Sequence, residues 1–379
     1  MFNIIIHVFN VMSIYFQTID MANSPNTTYI YGQLLVDFTI RTTNITREEL
    51  PIHPITELIE IYMIPVLCCL GFIGNSIASI VFLQKPLRSS SCCVLLAARG
   101  FADNGFLSTL LVIWVSRTFE LELGAISGTC GFIIYVSYVC GCMSVWLVVF
   151  VTFENYIRIR KPFMVNRYCT NGSAILAVTV LSAVVACLYC FPFWAMNPEQ
   201  CIPYAEHYIT VQAFIYMDSI ITLVIPFLLI SILMTVIVYH VIKSQDQLER
   251  RFSTSSRTSP NTMAKVTKLL FAVSLSFVCL SLPSHVYRLQ LMVTSLLVKT
   301  DDQYEYSSVD EAVQQTTLIV YYMSLSFNIV VYLIFGSKFR ATFVSTFCSC
   351  SRSTARVRDS MIFNKHAKEE KAAKYTCIS

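Results

Sequence analysis

Charge is what this sequence has least of. Asp, Glu, Lys and Arg together make up 13% of its 379 residues, whereas a soluble globular chain carries about 25%. That shortage excludes a surface that faces water throughout. Catalytic constellations are missing too. No nucleophile–base set and no cluster of metal ligands stands out, so no catalytic residue, metal or other cofactor is expected. A disulfide framework is also absent, although there are 15 cysteines. Most of them, including Cys68, Cys69, Cys140, Cys142, Cys187, Cys190 and Cys279, lie inside apolar stretches and read as small apolar side chains. An inverted repeat with a pair of Gly/Pro-broken helices, which would suggest a transporter, is not visible either.

What is present is apolar sequence in blocks. Hydrophobic residues are 55% of the chain. They gather in seven runs, over 59–83, 92–115, 130–153, 172–194, 210–241, 269–292 and 312–335. A helix needs roughly 20 such residues to cross about 30 Å of hydrocarbon. Seven runs of that length, joined by short polar gaps, predict an all-α integral membrane protein with a seven-transmembrane helix bundle. Three parts follow: an extracellular N-terminal segment at 1–57, the bundle at 58–336, and a membrane-surface helix with a cytoplasmic tail at 337–379.

Orientation follows from basic residues in the short loops. One side carries Lys85, Arg88, Arg158, Arg160, Lys161, Arg167, Lys243, Lys265 and Lys268, and the tail adds Lys338 and Arg340. The other side is acidic, with Glu57, Glu120, Glu122, Glu199, Glu206, Asp301 and Asp302. The N-terminus is therefore expected outside and the C-terminus inside, in a multi-pass protein of the plasma membrane. Sequons at Asn26 and Asn44 precede the first run and are expected to be glycosylated; the one at Asn171 lies on the basic side and is not. Cys130 and Cys201 fall at the extracellular edges, and they are the disulfide candidates. Residues 1–16 are apolar but lack a basic start and a clear cleavage site. Two readings stand, a signal peptide or a start at Met21. In the tail, Phe339, Phe343 and Phe347 recur at four-residue spacing, as in an amphipathic helix on the membrane surface. Cys348 and Cys350 then sit where S-acylation would anchor it, with unmodified thiols as the other reading.

Polar groups inside a bilayer are costly, so each is a functional candidate. They are Asn75, Arg99, Asp103, Asn104, Glu154, Asp218, His285, Arg288 and Asn328. Their order carries a resemblance. Gly74-Asn75 lies in run one, Ala102-Asp103 in run two, and Glu154-Asn155-Tyr156 at the foot of run three with Pro162 after it. Pro226 lies in run five, Phe277 and Pro283 in run six, and Asn328 with Tyr332 in run seven. Taken together, one motif per helix, the chain resembles the rhodopsin-like G-protein-coupled receptors. Leu282 to Val286 and a seventh helix without its proline are similar to invertebrate neuropeptide receptors of the FMRFamide and myosuppressin kind.

The resemblance implies an activation role for Asn75, Asp103, Glu154, Asn155, Tyr156, Phe277, Pro283, Asn328 and Tyr332. The departures bear on that role. Asn155 stands where relatives have an arginine that contacts the G protein, Ser281 where they have a tryptophan, and Ile329 where they have a proline. Run four also lacks its usual tryptophan. In relatives the counterpart of Asp103 often holds sodium. Arg99 lies one helical turn before Asp103, and either pairs with it in the ion's place or reaches to the cytoplasmic interface. Glu154 and Arg158 have the same spacing, and Arg158 is either its partner or a solvated loop residue.

Further absences narrow the ligand. Ser137 replaces the aspartate of amine receptors and Tyr322 the lysine of opsins. What remains is a mouth with acidic loops and aromatic walls. Trp114, Tyr138, Asp218, His285, Arg288 and Tyr322 are the candidate ligand residues, with plain helix packing as the other reading of the aromatics. A carboxylate among π-faces suits a cationic peptide, and an amidated one fits because it lacks a terminal carboxylate. The expected partners are an extracellular peptide, a heterotrimeric G protein, arrestin, receptor kinases and membrane lipid, with no nucleic acid. The competing readings are a receptor-like protein that captures peptide without coupling, and a transporter.

Overall fold

A computed structural model of the chain describes residues 54–85, 87–119, 121, 128–197, 202–251, 262–297 and 308–347. A helix stands at every one of the seven runs. Span one is Pro54–Leu83, span two Ser91–Thr118, span three Thr129–Arg160 and span four Asn171–Leu188. Span five runs from Tyr208–Asp218 through Ser219–Val224 into Ile225–Arg251. Span six is Thr262–Leu297, and span seven is made of Ser308–Ser326 and Asn328–Phe335. Among the described residues the only β contact is an isolated bridge between Met196 and Pro203. Helices are what hydrocarbon demands, because each satisfies its backbone N–H and C=O groups within itself.

Five helices are long and apolar enough to cross a bilayer by themselves, and the two parts of span seven make a sixth. Span two is not among them. It carries Arg99, Asp103 and Arg117, and it packs against spans one, three and four. Arg99 and Asp103 are therefore covered by protein and Arg117 is exposed in the last turn, so the run can be less apolar and still belong to a membrane bundle.

Local sequence sets the helix ends and breaks. Span four begins in a capping box, with Thr170 accepting from the Ser173 N–H. Asn171 beside it donates to the Arg88 carbonyl at 2.7 Å, tying two loops together. In span five the turn widens to π-geometry over Ser219–Val224, just before Pro226. Proline lacks an N–H and its ring crowds the carbonyl four residues back, so the preceding turn opens. The Trp146 indole N–H of span three donates to the freed Ile221 carbonyl at 3.1 Å.

Span seven bends by 49° between its two parts although Ile329 replaces the proline. Here the Asn328 side chain donates to the Leu325 carbonyl at 3.2 Å and competes with the backbone ladder. Spans one and seven approach closely at Gly74, where an added Cβ would lie 2.9 Å from Ile329 Cγ2.

A separate helix, Ser337–Phe347, follows span seven. Phe339 is buried against Phe82 and Tyr332, with ring centroids 5.0 and 5.6 Å away. Arg340 donates to the Leu333 and Ile334 carbonyls at 2.7 and 2.8 Å and so caps span seven. This is the amphipathic helix expected from the phenylalanine spacing. Asn26, Asn44, Cys201, Cys348 and Cys350 lie outside the described residues. Cys130 is disulfide-bonded, and its expected partner Cys201 is among those residues.

Candidate functional site

Three buried polar clusters lie along the bundle. The middle one is built on Asp103, which is fully buried. The Ser144 hydroxyl donates to its Oδ1, and Asn328 Nδ2 donates to its Oδ2 at 2.8 Å. Arg99 Nε lies 3.6 Å from Oδ2. Asn75 adds a bond from Nδ2 to the Leu325 carbonyl at 3.0 Å. Spans one, two, three and seven are thus pinned together by one carboxylate and its neighbours.

Arg99 is fully buried as well, so the interfacial reading of this residue is corrected. None of its three guanidinium nitrogens makes a hydrogen bond. What holds the charge is the attraction of Asp103 and the face of Phe277, whose ring centroid is 5.7 Å from the guanidinium carbon. A low-dielectric setting strengthens both contacts relative to water. Ser281, in the place of the expected tryptophan, is buried with its Oγ 3.4 Å from that of Ser324 on span seven.

At the basic end of the bundle, Glu154 Oε2 accepts from Ser91 Oγ at 2.9 Å and from Arg158 Nη2 at 3.1 Å. The two charged side chains are only 10% and 12% exposed. The solvated reading of Arg158 is therefore corrected: it is the partner of Glu154, and together they clamp span three to the start of span two. Asn155 is fully buried, and neither atom of its amide has a partner. Thr152 and Ser274 hydroxyls, 2.7 Å apart, join spans three and six beside it. Tyr156 stacks on Phe153 with ring centroids 6.3 Å apart.

At the Cys130 end, Asp218 is 4% exposed. Its Oδ1 accepts from the Tyr189 hydroxyl at 2.6 Å, and its Oδ2 faces Arg288 Nη2 at 3.5 Å. Asp218 was expected as a buried acidic anchor for a cationic ligand; it is buried, but its carboxylate is already occupied from two sides. Tyr138 stacks on Tyr189 at 5.3 Å. Arg288 is 29% exposed and its Nε has no partner. His285, one turn below it, is buried with Nδ1 unpartnered. Its ring lies 6.4 Å from Phe277 and 6.0 Å from Tyr321.

The six expected ligand residues divide into two groups. Tyr138, Asp218, His285 and Arg288 come together between spans three, five and six. Trp114 and Tyr322 belong to an apolar cluster of spans one, two and seven. Trp114 donates to the Ile61 carbonyl there at 3.1 Å. Tyr321 connects the two groups, its ring 6.0 Å from those of both His285 and Tyr322. Tyr189 was not anticipated. Its one signal in the sequence is a phenol in an apolar span, which must find a partner for its hydroxyl when buried. Ser144 and Ser91 gave no signal, since small hydroxyls are common on membrane helices.

The model of the 7 transmembrane receptor (rhodopsin family) matches residues 74–371. An FMRFamide receptor of Drosophila melanogaster is 23% identical over 310 residues, which cover 75% of this chain and 53% of the relative. The FMRFamide peptide receptor frpr-18 of Caenorhabditis elegans is 31% identical over 132 residues, 33% of this chain and 30% of that protein. The matches thus span about half of the first relative's length and less of the second's. The family match, the seven helices and the motif order agree, and this chain belongs to the rhodopsin family of seven-transmembrane receptors.

Proposed function

We propose that the protein is a plasma-membrane receptor for an extracellular neuropeptide of the FMRFamide type, and that it signals through a heterotrimeric G protein. The observation that carries this reading is the polar site of Tyr189, Asp218, His285 and Arg288 at the Cys130 end. That is the acidic-loop side of the bundle, and the distribution of Lys and Arg supports its facing outward. Both relatives named above are FMRFamide receptors.

Agonist binding favours an arrangement in which span six swings outward at its basic end. Pro283 lies inside that helix and removes one backbone bond, which gives it a pivot. His285 and Phe277 link the ligand site to Arg99, so a shift of span six disturbs the ion pair below. The agonist must bind the open arrangement more tightly than the closed one. The opened cleft would receive the G protein, and later receptor kinases and arrestin. Acylation at Cys348 and Cys350 would hold the following helix to lipid.

A second reading, peptide capture without coupling, is favoured by Asn155, which offers a short buried amide where relatives present a guanidinium. A neuropeptide panel applied to cells expressing the chain with a promiscuous Gα separates the two. The receptor reading predicts a dose-dependent calcium response to FMRFamide-type peptides. Saturable binding of labelled peptide with no response supports capture, and neither binding nor response overturns both.

A further inference from the structure

On the neuropeptide reading above, we propose that Arg288 is the residue that reads the peptide's C-terminus, and that Asp218 beneath it makes the site select a terminal carboxamide over a carboxylate. Asp218 itself is poorly placed to meet a ligand. Its oxygens are held by Tyr189 and Arg288, and only 4% of the residue is exposed. A ligand cation would have to expel Arg288 and leave that guanidinium without its counter-charge.

Arg288 is the opposite case. Its side chain is 29% exposed, its one contact with Asp218 is long at 3.5 Å, and its Nε is unpartnered. His285 lies three residues earlier on the same helical face, also with an unpartnered nitrogen, Nδ1. Span six thus holds two buried, unpartnered nitrogens beside the exposed part of the Arg288 side chain, and a guanidinium supplies donors only. The group it takes is an acceptor.

The charge of that acceptor is set by Asp218. Arg288 and Asp218 together are close to neutral. A carboxamide oxygen on Arg288 leaves the pair intact. A carboxylate on Arg288 puts a second negative charge beside the buried Asp218, sharing one cation in a low-dielectric site. The same pair that positions the donor therefore penalises the free acid.

Binding of FMRFamide and of the same peptide with a free carboxyl terminus, measured by displacement of labelled FMRFamide, tests the assignment. The wild-type protein should prefer the amide. Asp218→Asn should shrink that preference by about tenfold or more, or invert it, because Arg288 then lacks a counter-charge. Arg288→Gln should weaken both peptides, and Arg288→Lys should retain part of the affinity for the amide. Glu206→Gln, at a side chain 79% exposed, should leave the preference unchanged.

A preference that stays the same in Asp218→Asn overturns the assignment while leaving the neuropeptide reading intact. A wild-type protein that binds neither peptide overturns the neuropeptide reading and this one with it. Thermal unfolding of the purified receptor adds a ligand-free arm, which guards against misfolded variants. Asp218→Asn combined with Arg288→Gln should destabilise less than the two changes summed, and strict additivity would refute the pair on which the selectivity depends.

Discussion

Arg99 and Asp103, four residues apart on span two, are both fully buried, with Arg99 Nε 3.6 Å from Asp103 Oδ2. This intrahelical pair sits in the polar centre of the bundle. It brings its own cation to an aspartate that Ser144 and Asn328 also hold. Removing one member of a buried pair strands the other, at a cost of about 3–5 kcal/mol. Arg99→Leu should therefore reduce surface expression severely, and adding Asp103→Asn should recover much of it. Antibody staining of intact cells for the parent, both singles and the double reads this out. Additive losses would show that the two residues do not act as a pair.

The same arrangement predicts how the receptor responds to sodium. With Arg99 in place, agonist affinity should not change when sodium replaces a large organic cation in the buffer. In the Arg99→Leu protein that does reach the membrane, Asp103 is left without its internal cation, and agonist affinity should become sodium-sensitive. Sodium sensitivity in the parent would contradict the account of the pair.

Asn155 gives a prediction of opposite sign. A buried amide with no partner costs about 1–3 kcal/mol, and both of its polar atoms are in that state. Asn155→Leu, similar in size and apolar, should raise the unfolding temperature of the purified receptor. A fall would mean that the amide is satisfied in the folded protein.

The contact at the basic end is testable in the same assay. Glu154 receives two donors on one oxygen, from Ser91 and Arg158. Arg158→Ala should lower the unfolding temperature more than Arg160→Ala, because Arg158 is the cationic partner of a carboxylate only 10% exposed. Equal small effects would return Arg158 to the solvated class.

Much of this architecture was legible in the sequence because it is written in short-range patterns. Apolar length located the spans, and an interval of four residues made Arg99 with Asp103 and Arg158 with Glu154 candidate pairs, each beside a second reading that burial then removed. The phenylalanine spacing located the helix after span seven. The meeting of Tyr189, Asp218 and Arg288 was not legible, because those residues come from spans four to six and no spacing along the chain records which faces of those helices converge. Asp218 consequently read as an anchor for the ligand when its partners are Tyr189 and Arg288. The bend in span seven was hidden for another reason. Its usual signal, a proline, is absent, and the Asn328 side chain bonds the Leu325 carbonyl instead. Trp146 shows a similar displacement, since an indole on span three supports the opened turn of span five.

Ligand binding is expected to drive a G protein. Nucleotide exchange on purified Gα is the readout, with receptor-containing membranes and FMRFamide added. Exchange should accelerate saturably with peptide, and Arg288→Gln should shift that response to higher peptide concentration. Saturable peptide binding with exchange held at its basal rate, across Gα subtypes, would contradict it.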